Sequence, residues 1–136
     1  MVITLIVLIF EVRENTDAVR AATFQAVADS ITDMGLAMTA DREVVRVYWG
    51  GVQGTLEDRL DQDHFWLLII SQLRRFENAF YQRDRMSPSQ WEGLRMSLKA
   101  LVTREGVVAW WDDNHLLFSA DFQDLVDELQ GTNESH

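Results

Sequence analysis

The first long segment of the chain is Val2–Met38, VITLIVLIFEVRENTDAVRAATFQAVADSITDMGLAM, and it determines the fold class. It contains no Pro and one Gly, and it is rich in helix-forming residues. Beyond Phe10 its apolar side chains recur near the 3.6-residue period of a helix, at Val12, Val19, Ala22, Ala26, Val27, Ile31, Met34 and Met38. Because nothing in the stretch stops a helix, the sequence predicts one helix of about 55 Å.

The start of this helix, Val2–Phe10, carries no charge and only one polar side chain, Thr4. A helix that crosses a bilayer needs about 20 apolar residues, so these nine do not suffice. No basic region precedes them, so they do not form a signal peptide. Three interpretations remain: the end of a membrane helix whose upstream part is missing, a helix end inserted in a membrane or docked on a partner, or a buried segment of a soluble domain.

The length of the predicted helix favours the membrane. A rod of about 55 Å does not fit inside a small domain, and lipid is the simplest surrounding for an end that is apolar on every side. Arg13 and Arg20 follow the apolar residues, which favours a cytoplasmic position for the rest of the chain. The sequence therefore predicts an inner (cytoplasmic) membrane protein with lipid around residues 2–10.

A family resemblance points the same way. Residues 12–25, VRENTDAVRAATFQ, resemble the start of a group of uncharacterised bacterial proteins. Those have one membrane helix, a V-x-x-N-T-x-A-x-R-A helix and a small helical cytoplasmic domain, and they usually carry a longer apolar stretch upstream. Later similar pieces are Arg74-Arg75-Phe76-Glu77-Asn78, Tyr81-Gln82, Trp91-Glu92-Gly93, Trp110-Trp111, Phe118 and Phe122. The resemblance implies a topology and no activity.

The remaining sequence predicts shorter helices. They are expected at 42–49 (capped by Asp41, stopped by Gly50), at 63–83, from the Ser87–Gln90 capping box to Gly106, and after Ser119. In the last three, apolar residues near the 3.6-residue period are expected to form the buried face, and Phe65–Ile70, which is apolar all round, is expected to be central to the core. The predicted fold class is all-α, a long N-terminal helix that anchors in a membrane at its start, followed by a small helical bundle. We assign residues 1–12 to the anchoring helix, 13–130 to a helical cytoplasmic domain and 131–136 to a disordered tail.

Composition excludes several classes of function. The 136 residues include 12 basic and 22 acidic side chains, a net charge of −10, which disfavours a nucleic-acid partner. The absence of Cys excludes disulfides, thiolate metal sites and Cys nucleophiles. A basic cluster, Arg74, Arg75, Arg83 and Arg85, is expected to pair with the acidic C-terminal third or, alternatively, to bind anionic lipid headgroups.

Two features raise the alternative of a binding site. Two Asp-x-x-His pairs have the spacing found in di-metal helical bundles, where further carboxylates complete the centre; the candidates are Asp61/His64 and Asp112/His115, with Glu77 and Glu92. The five Trp residues could line a ligand pocket, although a Trp-built core is the more common arrangement. Because Trp110 and Trp111 are adjacent, we expect one of them to be partly exposed or to contact a partner.

The sequence contains no phosphate-binding loop, no dinucleotide fingerprint and no nucleophile elbow. It therefore predicts no enzyme, no catalytic, cofactor-binding or metal-ligating residues, and no cofactor. The predicted function is that of a non-catalytic interaction or accessory subunit that contacts other membrane proteins or itself. A homo-oligomer is one form of that role, because small residues at 18, 21, 22, 26 and 28 let a second helix approach. The alternatives are a ligand- or di-metal-binding bundle and a soluble helical domain.

Overall fold

The computed structural model describes residues 2–131, which form six α-helices and two short 3-10 turns, with no strand in that range. The helices are α1 Val2–Thr39, α2 Arg42–Gln53, α3 Arg59–Tyr81, α4 Pro88–Val102, α5 Glu105–Asn114 and α6 Ala120–Gly131, and the turns are Arg83–Arg85 and His115–Leu117. The predicted all-α class is confirmed. Of the disordered tail predicted at 131–136, Gly131 is the last residue of α6, and residues 132–136 lie outside the described residues.

Helix α1 is one uninterrupted rod, as the sequence predicts. Its 38 residues correspond to a length of about 57 Å. Every residue from 2 to 22 is exposed, so this part leaves the bundle and projects by about 30 Å. Residues 2–10 are therefore not part of the core of this chain.

The C-terminal half of α1 docks on the bundle. Val27 is buried in a small cluster with Ala79 of α3 and Met86. The guanidinium of Arg75 in α3 donates hydrogen bonds to the Ser30 hydroxyl and, at 2.8 Å, to the Ser30 backbone oxygen. These contacts fix the direction in which the free half of the rod points.

Side-chain caps start the other helices. Asp41 accepts a hydrogen bond of 2.8 Å from the Glu43 backbone N–H, as predicted. Ser87 and Gln90 form the predicted capping box, with Pro88 at the first helical position. Helix α3 begins earlier than predicted, at Arg59, because the Asp58 carboxylate accepts from the backbone N–H groups of residues 60 and 61.

Two glycines lie inside helices that they were predicted to end. Helix α2 continues through Gly50 and ends at Gly54, whose φ of 74° is left-handed. Gly106 is the second residue of α5 and not the end of α4. A Cβ on Gly106 would lie 1.8 Å from the carbonyl oxygen of Gly51. The absence of a side chain at Gly106 therefore lets α5 touch the backbone of α2.

Helix α3 is central to the core. Its buried face packs with buried faces of α4 and α6, as the 3.6-residue period predicts; the most deeply buried members are Ile69, Leu73, Leu98, Val102, Phe122, Val126 and Leu129. One detail differs from the prediction that Phe65–Ile70 is apolar all round and central to the core. Leu67 in that segment is exposed, because one side of α3 faces solvent.

Candidate interaction surface

A continuous, exposed apolar surface covers the N-terminal end of α1, residues 2–10, hereafter the apolar end. Its eight large apolar side chains are between 46% and 79% exposed. Successive helical residues differ by about 100° in direction, so nine consecutive residues cover the whole circumference of the rod. Exposed apolar surfaces of this kind mark sites of association with a protein or a membrane.

Charged residues begin directly after the apolar end. Glu11, Arg13 and Glu14 are all exposed, and none of them forms an ion pair within residues 2–131. The surface of the rod therefore changes from apolar to charged within a single helical turn. Such a boundary matches the border between an apolar medium and water.

Between residues 2 and 131, no helix combines the length and the apolar character that a membrane crossing requires.

Farther along α1, small residues face away from the bundle. Ala18, Ala21, Ala22 and Ala26 are exposed, whereas Ala28 is half-buried. The predicted small-residue surface is thus accessible over most of its length.

Two of the candidate metal ligands, Asp61 of the first Asp-x-x-His pair and Glu77, are engaged elsewhere. The guanidinium of Arg46 donates to both carboxylate oxygens of Asp61 at 3.0 Å, and this hydrogen bonding lowers the pKa of Asp61. Glu77 accepts from Arg74 at 2.9 Å and from the backbone N–H of Ser119 at 2.9 Å. Both carboxylates therefore join elements of the fold.

The second pair does not complete a metal site either. His115 lies in a 3-10 turn, with its Nδ1 at 3.1 Å from the backbone oxygens of Trp111 and Asp112. Glu92 pairs with Arg95 at 3.5 Å. Within residues 2–131, no group of three or more His, Cys, Asp or Glu side chains is placed to hold a metal ion.

Most of the basic cluster is used within the fold. Arg74 donates to the Leu117 backbone oxygen at 2.8 Å, and its guanidinium carbon lies 4.6 Å from the centre of the Phe118 ring. Arg83 lies over Phe80 at 4.0 Å in the same way. An ion pair between the basic middle and the acidic end is formed by Arg95 and Glu128, outside the cluster, at 3.4 Å.

The expectation for the adjacent Trp residues is wrong. Trp110 is 8% exposed and Trp111 is 2% exposed. Trp110 contacts Trp66 of α3, at 6.0 Å between ring centres, whereas Trp111 contacts Phe122 of α6 at 6.1 Å. Because α5 is enclosed on more than one side, two side chains about 100° apart are both covered.

The chain matches no protein-family model, no curated protein and no solved structure.

Proposed function

We propose that this chain is a membrane-anchored helical protein that acts through contacts and not through catalysis. The apolar end lies in the hydrocarbon of a membrane, and the bundle lies in water on the cytoplasmic side. The observation that carries the proposal is the exposure of nine consecutive residues, with apolar side chains on every side, on a helix that continues without a break into the docked half of α1.

Lipid suits the apolar end better than a groove on a partner protein. A groove covers one face of a helix and leaves the others in water, whereas hydrocarbon surrounds all of them. Nine helical residues are about 14 Å long, which is close to half of a hydrocarbon core of about 30 Å. The apolar end therefore matches one leaflet in depth.

The flanking charges support the orientation. Arg13 and Arg20 are exposed on the rod just beyond the apolar end, where basic residues favour the cytoplasmic side. The resemblance of residues 12–25 to bacterial proteins with one membrane helix is in keeping with this topology. Membership of the chain in that group is part of the proposal.

A second candidate function is self-association through α1, which would make the protein a homo-oligomer or a subunit of a larger membrane assembly. Leu5, Val12 and Val19 are seven residues apart, and each is exposed. Apolar residues repeated every seven positions form the seam of a coiled coil. The exposed Ala26 continues this series, so a second copy could pack along the rod beyond the membrane surface.

Flotation with neutral phosphatidylcholine vesicles tests the anchoring. We expect the full chain to float with the vesicles. The Leu5→Glu/Leu8→Glu variant should remain in the unbound fraction, because each carboxylate is costly to place in hydrocarbon. The matched control is Leu60→Glu/Leu116→Glu, at two bundle residues that are 78% and 81% exposed, and it should float like the unchanged chain.

Two results would contradict the proposal: an unchanged chain that remains with the soluble fraction, or a control variant that loses binding as fully as the variant of the apolar end.

Light scattering on the same samples in detergent micelles measures the oligomeric state. A dimer that Val12→Glu/Val19→Glu converts to a monomer would support self-association, and a monomeric unchanged chain would exclude it.

A further inference from the structure

A cleft of about 420 Å³ opens between α2, α3 and α5, and no residue of α1 lines it. Its volume falls in the range of small-molecule sites. Aromatic walls come from Phe65, Trp66 and Trp110, and the glycines at 51, 54 and 106 contribute to its lining without side chains. The cleft is thus a concave, aromatic-lined space that the core does not fill.

The charged groups of the cleft are all acidic. Asp63 and Asp113 line it, and neither carboxylate has an ion pair or a hydrogen bond among the described residues. No Lys, Arg or His is among the lining residues. By contrast, Asp61, two residues before Asp63, is neutralised by Arg46. The cleft therefore keeps two negative charges without a cation from this chain.

The helix ends add negative potential. Gly54 caps the C-terminus of α2, and Asn114 ends α5; both line the cleft. Helix C-termini carry partial negative charge, and cations are favourable beside them. Asp113 lies in the last turn of α5, where a carboxylate opposes the helix dipole, and that turn contains no basic residue. A bound cation would relieve this repulsion.

The aromatic walls favour an organic cation over a metal ion. The Trp66 indole N–H donates to the Asn114 side-chain oxygen at 2.9 Å, which fixes the ring, and the Trp66 and Trp110 ring centres are 6.0 Å apart. Trp rings attract alkylammonium groups. Trp110 is 8% exposed, and its indole N–H, which has no acceptor among the described residues, is not accessible to a ligand in the cleft.

We propose that this cleft binds a small organic cation that carries an alkylammonium group. The two carboxylates and the two helix C-termini balance its charge, and the indole rings contact its methyl groups. The site is independent of the apolar end, so membrane anchoring and cation binding are tested separately.

Calorimetric titration of the full chain with choline tests the proposal, in maltoside micelles because their headgroups carry no charge. The control ligand is 3,3-dimethyl-1-butanol, which has the shape of choline without the charge. We expect saturable binding of choline and binding of the alcohol that is weaker by about tenfold or more. Equal binding of both, or no saturable heat with choline, would overturn the proposal.

Variants locate the site. Asp63→Asn and Asp113→Asn should each weaken choline binding by about fivefold or more, since each removes one facing charge. Asp124→Asn, at an exposed carboxylate of α6 outside the cleft, is the matched control and should bind like the unchanged chain. Circular dichroism checks that each variant is folded. Unchanged binding in both cleft variants, or equal loss in the control, would place the cation elsewhere and refute the assignment.

Discussion

At Gly106 the packing of two helices depends on the absence of a single side chain. A Cβ there would come within 2.6 Å of the Gly54 nitrogen as well as 1.8 Å of the Gly51 oxygen, and backbone atoms cannot move aside as a flexible side chain can. The glycine is therefore a requirement of the contact between α2 and α5.

We expect Gly106→Ala to lower the free energy of unfolding by about 3 kcal/mol, because α5 must shift away from α2. The control is Gly93→Ala in α4, where nothing lies within 4 Å of the new Cβ; there Ala should raise the free energy by about 0.5–1 kcal/mol through its helix propensity. Urea unfolding of both variants measures the difference. Equal effects at the two glycines would contradict the close contact.

The ion pair of Asp61 makes the free energy of unfolding depend on pH in the acid range. The hydrogen bonds from Arg46 lower the pKa of Asp61 from its ordinary 3.8 in the folded chain, so this carboxylate stabilises the fold above that pH. The contribution is lost as the pH falls through the lowered pKa. Asp61→Asn should therefore reduce stability at pH 6, and the difference from the unchanged chain should shrink below about pH 4.

Urea unfolding at a series of pH values measures this difference. In an Arg46→Gln background the same substitution should show no such pH dependence, because the partner is gone. A difference that stays constant from pH 6 to the acid limit would show that the ion pair is not its cause.

The sequence predicts residue-scale features best where the interaction is local. Asp41 and Ser87 cap the helices that follow them, so neighbours along the chain determine both. The predictions for Gly106 and for the Trp110-Trp111 pair are wrong because the surroundings of these residues come from other helices. A glycine that permits helix contact is indistinguishable in sequence from one that ends a helix.

At the scale of elements, α1 has two halves with different surroundings. The half after residue 22 packs on α3 through Val27 and through the link from Arg75 to Ser30, whereas the half before it is exposed throughout. One helix thus carries both a docking face and a free end. Its stability contribution comes from the docked half alone.

We expect Val27→Ala to lower the free energy of unfolding by about 2 kcal/mol, since it removes two buried methyl groups and leaves a cavity. Val19→Ala, on the exposed half of the same helix, is the matched control and should change stability by less than about 0.5 kcal/mol. Thermal unfolding followed by circular dichroism compares them. If both substitutions were neutral, the docking of α1 described here would be wrong.

The hydrophobic period predicts which faces of α3, α4 and α6 are buried, because each of these helices has one apolar side. It fails at Leu67, where a continuous apolar run hides the fact that one side of α3 faces water. The start of α3 was missed for a different reason. Asp58 caps it from within a polar segment that has no apolar period of its own.

At the scale of the whole molecule, the chain combines a water-facing bundle with a rod whose far end is apolar. The sequence predicts this division, because the composition changes abruptly at Glu11 and no Pro lies between Glu11 and Met38. It does not predict the acidic, aromatic cleft, because three separate helices supply the walls. The Trp residues predict either a pocket or a core. Trp66 and Trp110 line the cleft, and they also pack in or against the hydrophobic core.

The depth of single spin labels on α1 in the presence of phosphatidylcholine vesicles reports directly whether the apolar end lies in lipid. The chain has no Cys, so Leu8→Cys and Ala18→Cys each give one labelling site. We predict that the label at residue 8 is accessible to oxygen and shielded from a water-soluble nickel reagent, and that the label at residue 18 shows the reverse. Equal access of the nickel reagent to both labels would contradict the placement of the apolar end in lipid.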